Sequence, residues 1–204
     1  TVAFNSASTV SMDVSKLSAG VTTVEVDLTD GADGGSLDAS TITTLGSQTV
    51  VVKHVTPDTG SDSGGNDGVK LTITGAADTS ADTVNVTMDG ISTAATGVRK
   101  ALDQLDVVNY ETVNINNINS TGGSELVALN ATSATSVAIT GDSELTIGSV
   151  SAASLTSFDA SALAGKLTAT LGANKVTAKA ATKDTKFIFA ANLDNDDTVV
   201  GGAG

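Results

Sequence analysis

No cysteine occurs anywhere in the chain, so no disulfide can brace it, and outside a cell some other device must take that role. Tryptophan is absent too, and aromatic residues make up only 2% of the sequence. Large rings fill wide, irregular cores. Their scarcity points instead to narrow, repeated layers filled by small and branched aliphatics. Basic residues are few: ten Lys and Arg stand against 23 Asp and Glu, a formal net charge of −13. Phosphate binding needs clustered Lys and Arg, so the balance argues against a nucleic-acid partner. No stretch approaches the roughly 20 apolar residues of a membrane-spanning helix, and no membrane insertion is expected. No basic-then-apolar signal peptide opens the chain. The sequence begins at Thr1 and closes on Gly201-Gly202-Ala203-Gly204. Both ends read as cuts through a longer polypeptide, with targeting signals outside it.

What is present is aliphatic and hydroxylic. Alanine, valine, leucine and isoleucine dominate the 40% apolar content, and serine with threonine supply roughly a quarter of the chain. Threonine and valine favour strands. Serine, glycine and aspartate favour turns. Nineteen of the 23 acids are aspartate. Short carboxylates in glycine-rich turns offer the hard oxygens that calcium prefers. Calcium is therefore the expected cofactor and the expected substitute for disulfides.

Apolar residues alternate along short segments: Val24, Val26 and Leu28; Val69, Leu71 and Ile73; Val84, Val86 and Met88; Val113 and Ile115. The rhythm tightens through Val137 and Ile139, Leu145 and Ile147, Leu167 to Leu171, Val176 and Ala178, and Phe187 and Phe189. Strands beginning every 8–12 residues predict an all-β sandwich, barrel or solenoid. One segment breaks the pattern. Between Val98 and Leu105, the residues Val98, Leu102 and Leu105 share one helical face, which predicts a short helix over 98–105.

Residues 1–108 read as a β-rich segment with long polar loops, and residues 109–204 as a more regular segment. Short echoes link the two: Ser36-Leu37-Asp38-Ala39-Ser40 matches Ser157-Phe158-Asp159-Ala160-Ser161 at all but one position. Stacked repeats leave such echoes. The expected fold is a right-handed parallel β-helix or solenoid-like stack with one short helix, because a narrow stack needs few aromatics. A β-sandwich is the alternative.

The last eleven residues, Asp194-Asn195-Asp196-Asp197-Thr198-Val199-Val200-Gly201-Gly202-Ala203-Gly204, resemble the calcium-binding nonapeptide of RTX proteins, G-G-x-G-x-D-x-U-x, with U a large apolar residue. Asp197 takes the aspartate place, Val199 the apolar place, and the glycines open a next repeat. The preceding glycines of the pattern are replaced by Leu193-Asp194-Asn195. Tyr110-Glu111-Thr112-Val113-Asn114-Ile115, Ser133 to Gly141 and Leu155 to Ser161 are similar to segments of RTX-type S-layer proteins of Gram-negative bacteria, the Caulobacter type among them. The resemblance covers about residues 105–204. It implies type I secretion, calcium-dependent folding, and assembly into a lattice on the bacterial cell surface.

The candidate metal ligands follow from turns rich in aspartate and glycine. Asp194, Asp196 and Asp197 lead, followed by Asp78 and Asp82 after Gly75, and by Asp30 and Asp33 (with Asp38) around Gly31, Gly34 and Gly35. The loop from Asp58 to Gly68 lacks EF-hand spacing and reads as a surface loop. Within it, Asp58-Thr59-Gly60 spells the aspartic-protease motif. That chemistry needs a second aspartate sharing a proton, and no second Asp-Thr-Gly exists. His54 lies in an alternating strand and reads as a surface or interface residue. No cysteine nucleophile, phosphate loop, zinc pattern or G-x-S-x-G elbow occurs. The expectation is a non-catalytic structural module of a secreted, calcium-binding, S-layer-like protein. Its expected partners are copies of itself and a cell-surface polysaccharide, and the alternative is an adhesin or carbohydrate-binding module of a large RTX protein.

Overall fold

The structure, a computed structural model, describes residues 1–6, 10–18, 20–29, 37–46, 48–56, 68–91, 102–172, 175–189 and 193–203. The strands in chain order begin with β1 (Val2–Ser6), β2 (Ser11–Asp13), β3 (Thr23–Thr29), β4 (Leu37–Thr44) and β5 (Thr49–Thr56). Next come β6 (Gly68–Gly75), β7 (Thr83–Asp89), β8 (Leu102–Val108), β9 (Thr112–Ile118), β10 (Ser124–Asn130) and β11 (Ser136–Gly141). The series closes with β12 (Leu145–Ser151), β13 (Ser157–Leu163), β14 (Leu167–Leu171), β15 (Thr177–Lys179), β16 (Thr185–Ile188) and β17 (Thr198–Val200).

Odd-numbered strands form one sheet in chain order, β1 to β17, and even-numbered strands form the other, β2 to β16. Every described pairing is parallel, between strands of neighbouring coils, as in β7 with β9 and β8 with β10. This is a two-sheet parallel β-solenoid, each coil supplying one strand to each sheet. It settles the choice against a sandwich of antiparallel sheets.

Period-two alternation produces the core. Val84, Val113, Val137, Phe158 and Ala178 stand in register on successive odd strands, and all are buried. Leu71, Leu105, Leu129, Val150 and Leu171 form the facing column on the even sheet. Like residues stack on like, so each layer is filled the same way, and few large rings are needed. From β7 to β13 the coils shorten. Register partners Thr83 and Thr112 are 29 residues apart, Thr112 and Ser136 24, and Ser136 and Ser157 21.

The predicted helix is corrected in part. Leu102 to Leu105 belong to strand β8, while residues 98–101 lie outside the described residues. The three-residue apolar spacing has another cause. Leu102 and Leu105 pair with Leu126 and Leu129, which pair with Ile147 and Val150, all buried. Each strand turns two residues outward between its inward ones, a bulge repeated in three consecutive coils. Gly148 belongs to this column, and a Cβ there would come within 2.6 Å of the Val127 carbonyl oxygen. Among the described residues the helical content is a single 3-10 turn, Val14–Lys16.

Candidate functional site

The turn entering β17 gathers three of the expected ligands, and its backbone uses them. The Asp197 carboxylate accepts the Asp194 N–H at 3.1 Å through Oδ2 and the Val176 N–H at 3.0 Å through Oδ1. Asp194 Oδ1 accepts the Asp196 N–H at 2.8 Å. Asp196 Oδ1 lies 3.8 Å from Lys175 Nζ. Aspartate suits this work because its short side chain reaches a backbone amide two or three residues away. Asp194 Oδ2 and Asp196 Oδ2 make no bond within the turn.

Asp82 does a similar job before β7. Its carboxylate accepts the Thr79 N–H at 2.6 Å and the Thr79 hydroxyl at 2.7 Å. The Thr79 hydroxyl, then the Thr79 amide, hold its carboxyl below the usual aspartate range. Asp78 lies exposed beside Thr79. Asp30 and Asp33 lie outside the described residues, as do Asp58, Thr59 and Gly60. His54 and Asp38 sit in β5 and β4. Asp78 and Asp82 share one turn, Asp194, Asp196 and Asp197 another. Among the described residues, no set of three or more Asp, Glu or His side chains converges as a ready-made cage for a metal ion.

Sequence reasoning missed a second role for the acids, which bond from coil to coil. Asp82 N–H donates to Glu111 Oε2 at 2.8 Å, and Val69 N–H donates to Asp103 Oδ2 at 3.0 Å. With Asp197 and Val176, these make three places where an acid of one coil receives an amide of the coil before it. On the outer face of the even sheet, Asp106 receives Lys70 Nζ at 2.5 Å, Gln104 Nε2 at 2.8 Å and Asn130 Nδ2 at 2.8 Å. Burial pushes its carboxyl up, but those three donors and the lysine charge outweigh it and leave it below the usual range. Asp159 receives Lys179 Nζ and the Ser161 hydroxyl, both at 2.6 Å, and these hold its carboxyl down to about 2.

The interior carries its own polar clamps. Buried Asn117 donates from Nδ2 to the carbonyls of Ser143 and Glu144, each at 3.1 Å, while its Oδ1 accepts the Ser124 hydroxyl at 2.7 Å. Tyr110 is buried, and its hydroxyl bonds Thr44 Oγ1 at the coil corner beside Gly46, Gly75 and Asp82. These groups hold coils together. Comparison with protein-family models, curated proteins and solved structures finds no match to this chain.

Proposed function

We propose that this chain is a non-catalytic structural module of a secreted, calcium-binding bacterial cell-surface protein of the S-layer kind, which assembles with copies of itself outside the cell. The observation that carries the reading is the order of parts at Asp197-Thr198-Val199-Val200-Gly201-Gly202. The aspartate stands immediately before a strand, Thr198–Val200, whose middle residue Val199 continues the inward column above Ala178. A glycine pair follows, and Gly202 lies so close to the previous coil that a Cβ would come within 1.9 Å of the Ala181 carbonyl oxygen. An aspartate-led turn, a strand with its apolar residue inward and a glycine turn packed on the neighbouring coil are the parts of the RTX repeat.

Coil length supports the same reading. Two nine-residue repeats make a coil of about eighteen residues. Here register partners Leu167 and Thr185 are 18 apart, Ser157 and Thr177 20, and Thr177 and Thr198 21. The calcium ligands in this reading are Asp194 and Asp196, whose remaining oxygens point to no partner in their turn, with Asp78 as the second acid at the Asp82 turn. Calcium supplies charge that screens the carboxylates and ties turn to turn. Absence of cysteine suits a stack braced by ions rather than sulfur.

The test is a thermal melt in millimolar calcium and again in chelator, with metal content measured on the folded protein. One site that binds only the folded state adds about 2.7 kcal/mol at 100 times its dissociation constant. The melting temperature is expected to fall on chelation. Superimposable melts with no bound calcium would end this reading.

A further inference from the structure

A small pocket opens at the coil corner where three successive turns meet, those from β4 to β5, β6 to β7 and β8 to β9. Its lining includes Thr44, Gly46, Gly75, Ala77, Asp82 and Tyr110, and its volume is about 60 Å³. Sites for organic ligands run to roughly 300–1,000 Å³, so this one has room only for an ion and a few waters. Gly75 shows which atoms face the space. A Cβ there would lie 2.9 Å from the Ala77 carbonyl oxygen, 3.0 Å from that of Asn109 and 3.4 Å from Tyr110 Cζ. The two carbonyls come from different turns, and Asn109 takes a left-handed φ of 63°. Among the described residues, neither oxygen accepts a hydrogen bond. No basic side chain lines the pocket. Among the described residues, the Asp82 carboxylate is met by the Thr79 amide and hydroxyl, both neutral donors.

We propose that this corner holds one divalent cation of the calcium class, bound by the Asp82 carboxylate and the carbonyl oxygens of Ala77 and Asn109, with water completing its shell. Such ions take six to eight oxygens at about 2.3–2.6 Å, and backbone carbonyls and waters serve beside carboxylates. The backbone thus supplies the oxygens that acidic side chains do not. Each Asp82 oxygen keeps a lone pair after its bond to Thr79. Its charge also reaches the pocket floor. Burial pushes the Tyr110 phenol up, the bonds from Thr44 and Gly46 oppose the rise, and the Asp82 charge adds to it. The Tyr110 and Thr44 hydroxyls are bonded to each other and form wall rather than ligand. An ion here links the turn after β6 to the turn after β8, beside the bond from the Asp82 amide to Glu111. The choice of calcium rests on the proposed function; the position rests on the pocket alone.

Terbium, which takes calcium's place among oxygen ligands and glows when a nearby tyrosine passes on absorbed light, tests the site directly. Tyr110 is the only tyrosine and tryptophan is absent, so the antenna stands in this pocket and nowhere else. The transfer falls steeply with distance, and the turn before β17 lies four coils beyond β9, about 19 Å at the usual strand spacing. Terbium added to the full chain should give tyrosine-sensitised emission that calcium competes away. Asp82→Asn keeps an acceptor for Thr79 but removes the charge. With an unchanged circular-dichroism spectrum, it should raise the terbium concentration at half-signal by about tenfold or more. Asp78 does not line the pocket, so Asp78→Asn should leave the titration unchanged, as should Asp194→Asn. No sensitised emission from the parent, or emission that survives Asp82→Asn, would overturn the site. Loss in Asp78→Asn would put the ion on the outside of the turn and overturn it too. A parent without emission whose melt still falls on chelation would remove this site and leave the calcium reading standing.

Discussion

The carboxylate of Asp197 receives the backbone N–H of Val176 across 21 residues of sequence, at 3.0 Å, and so pins the last coil to the one beneath it. Val176 is buried, so its amide has no water to turn to when that oxygen is removed. A buried donor left unmet costs about 1–3 kcal/mol. Asp197→Ala is therefore expected to speed hydrogen exchange at Val176 by roughly tenfold to a hundredfold, while Asp197→Asn, which keeps an acceptor oxygen, does so much less. Exchange at β9 and β11, several coils away, should not change. Equal exchange at Val176 in all three proteins would show that the bond contributes nothing.

This relation also marks how far the sequence could be read. Strand positions follow directly from alternation: Val84, Val86 and Met88 are inward in β7, as are Val113 and Ile115 in β9. Leu102 and Leu105 were misleading because a bulge repeated from coil to coil gives the same three-residue spacing as a helix. The aspartates of the turns were legible as turn formers. Their coil-to-coil bonds were not, because Asp103 and Val69 are 34 residues apart, Glu111 and Asp82 29, and Asp197 and Val176 21. With no fixed period, the partner of an acid emerges only once strand register is known.

The Asp159–Lys179 pair predicts part of the acid limb of stability. Its carboxyl titrates at about 2 in the folded chain against 3.8 for an ordinary aspartate, held down first by Lys179 and then by Ser161. A depressed folded value means stabilisation that is complete above the ordinary value and disappears as pH falls towards the folded one. The loss belongs between about pH 4 and pH 2. Asp159→Asn removes this contribution, so the stability difference between parent and variant should shrink across that window. Taking the difference cancels the relief of repulsion that protonating other carboxylates brings to an acidic protein. A difference constant from pH 6 to pH 2 would show that the pair does not stabilise the fold.

Tyr110 offers a sharper test of the interior. Its hydroxyl and that of Thr44 are both buried and bonded to each other across 66 residues of sequence. Tyr110→Phe strands the threonine oxygen, and an expected loss of about 1–3 kcal/mol follows. Thr44→Val takes one partner from the tyrosine hydroxyl, which keeps its bond to the Gly46 backbone, and is expected to cost less. The double substitution removes both polar groups together and should be less destabilising than the sum of the single changes. Strict additivity in urea melts would mean that the two hydroxyls act independently.

Gly141 combines a left-handed backbone with very little room for another residue. Its φ of +113° lies outside the range that side chains accept readily, and a Cβ would come within 2.0 Å of the Asn117 carbonyl oxygen. That oxygen also receives the amides of Asp142 at 3.1 Å and Ser143 at 3.3 Å, while the Asn117 side chain holds the carbonyls of Ser143 and Glu144. One added methyl group would therefore push against the corner where coils are tied at four points. Backbone strain alone costs about 1–3 kcal/mol, and displacement of the Asn117 hydrogen bonds adds to it. Gly141→Ala is expected to destabilise the chain by at least about 2 kcal/mol in urea melts. Gly201→Ala meets nothing within 4 Å and should leave the melt almost unchanged. If the two substitutions proved equally mild, close packing at the Asn117 corner could not be what fixes the register of β9 and β11.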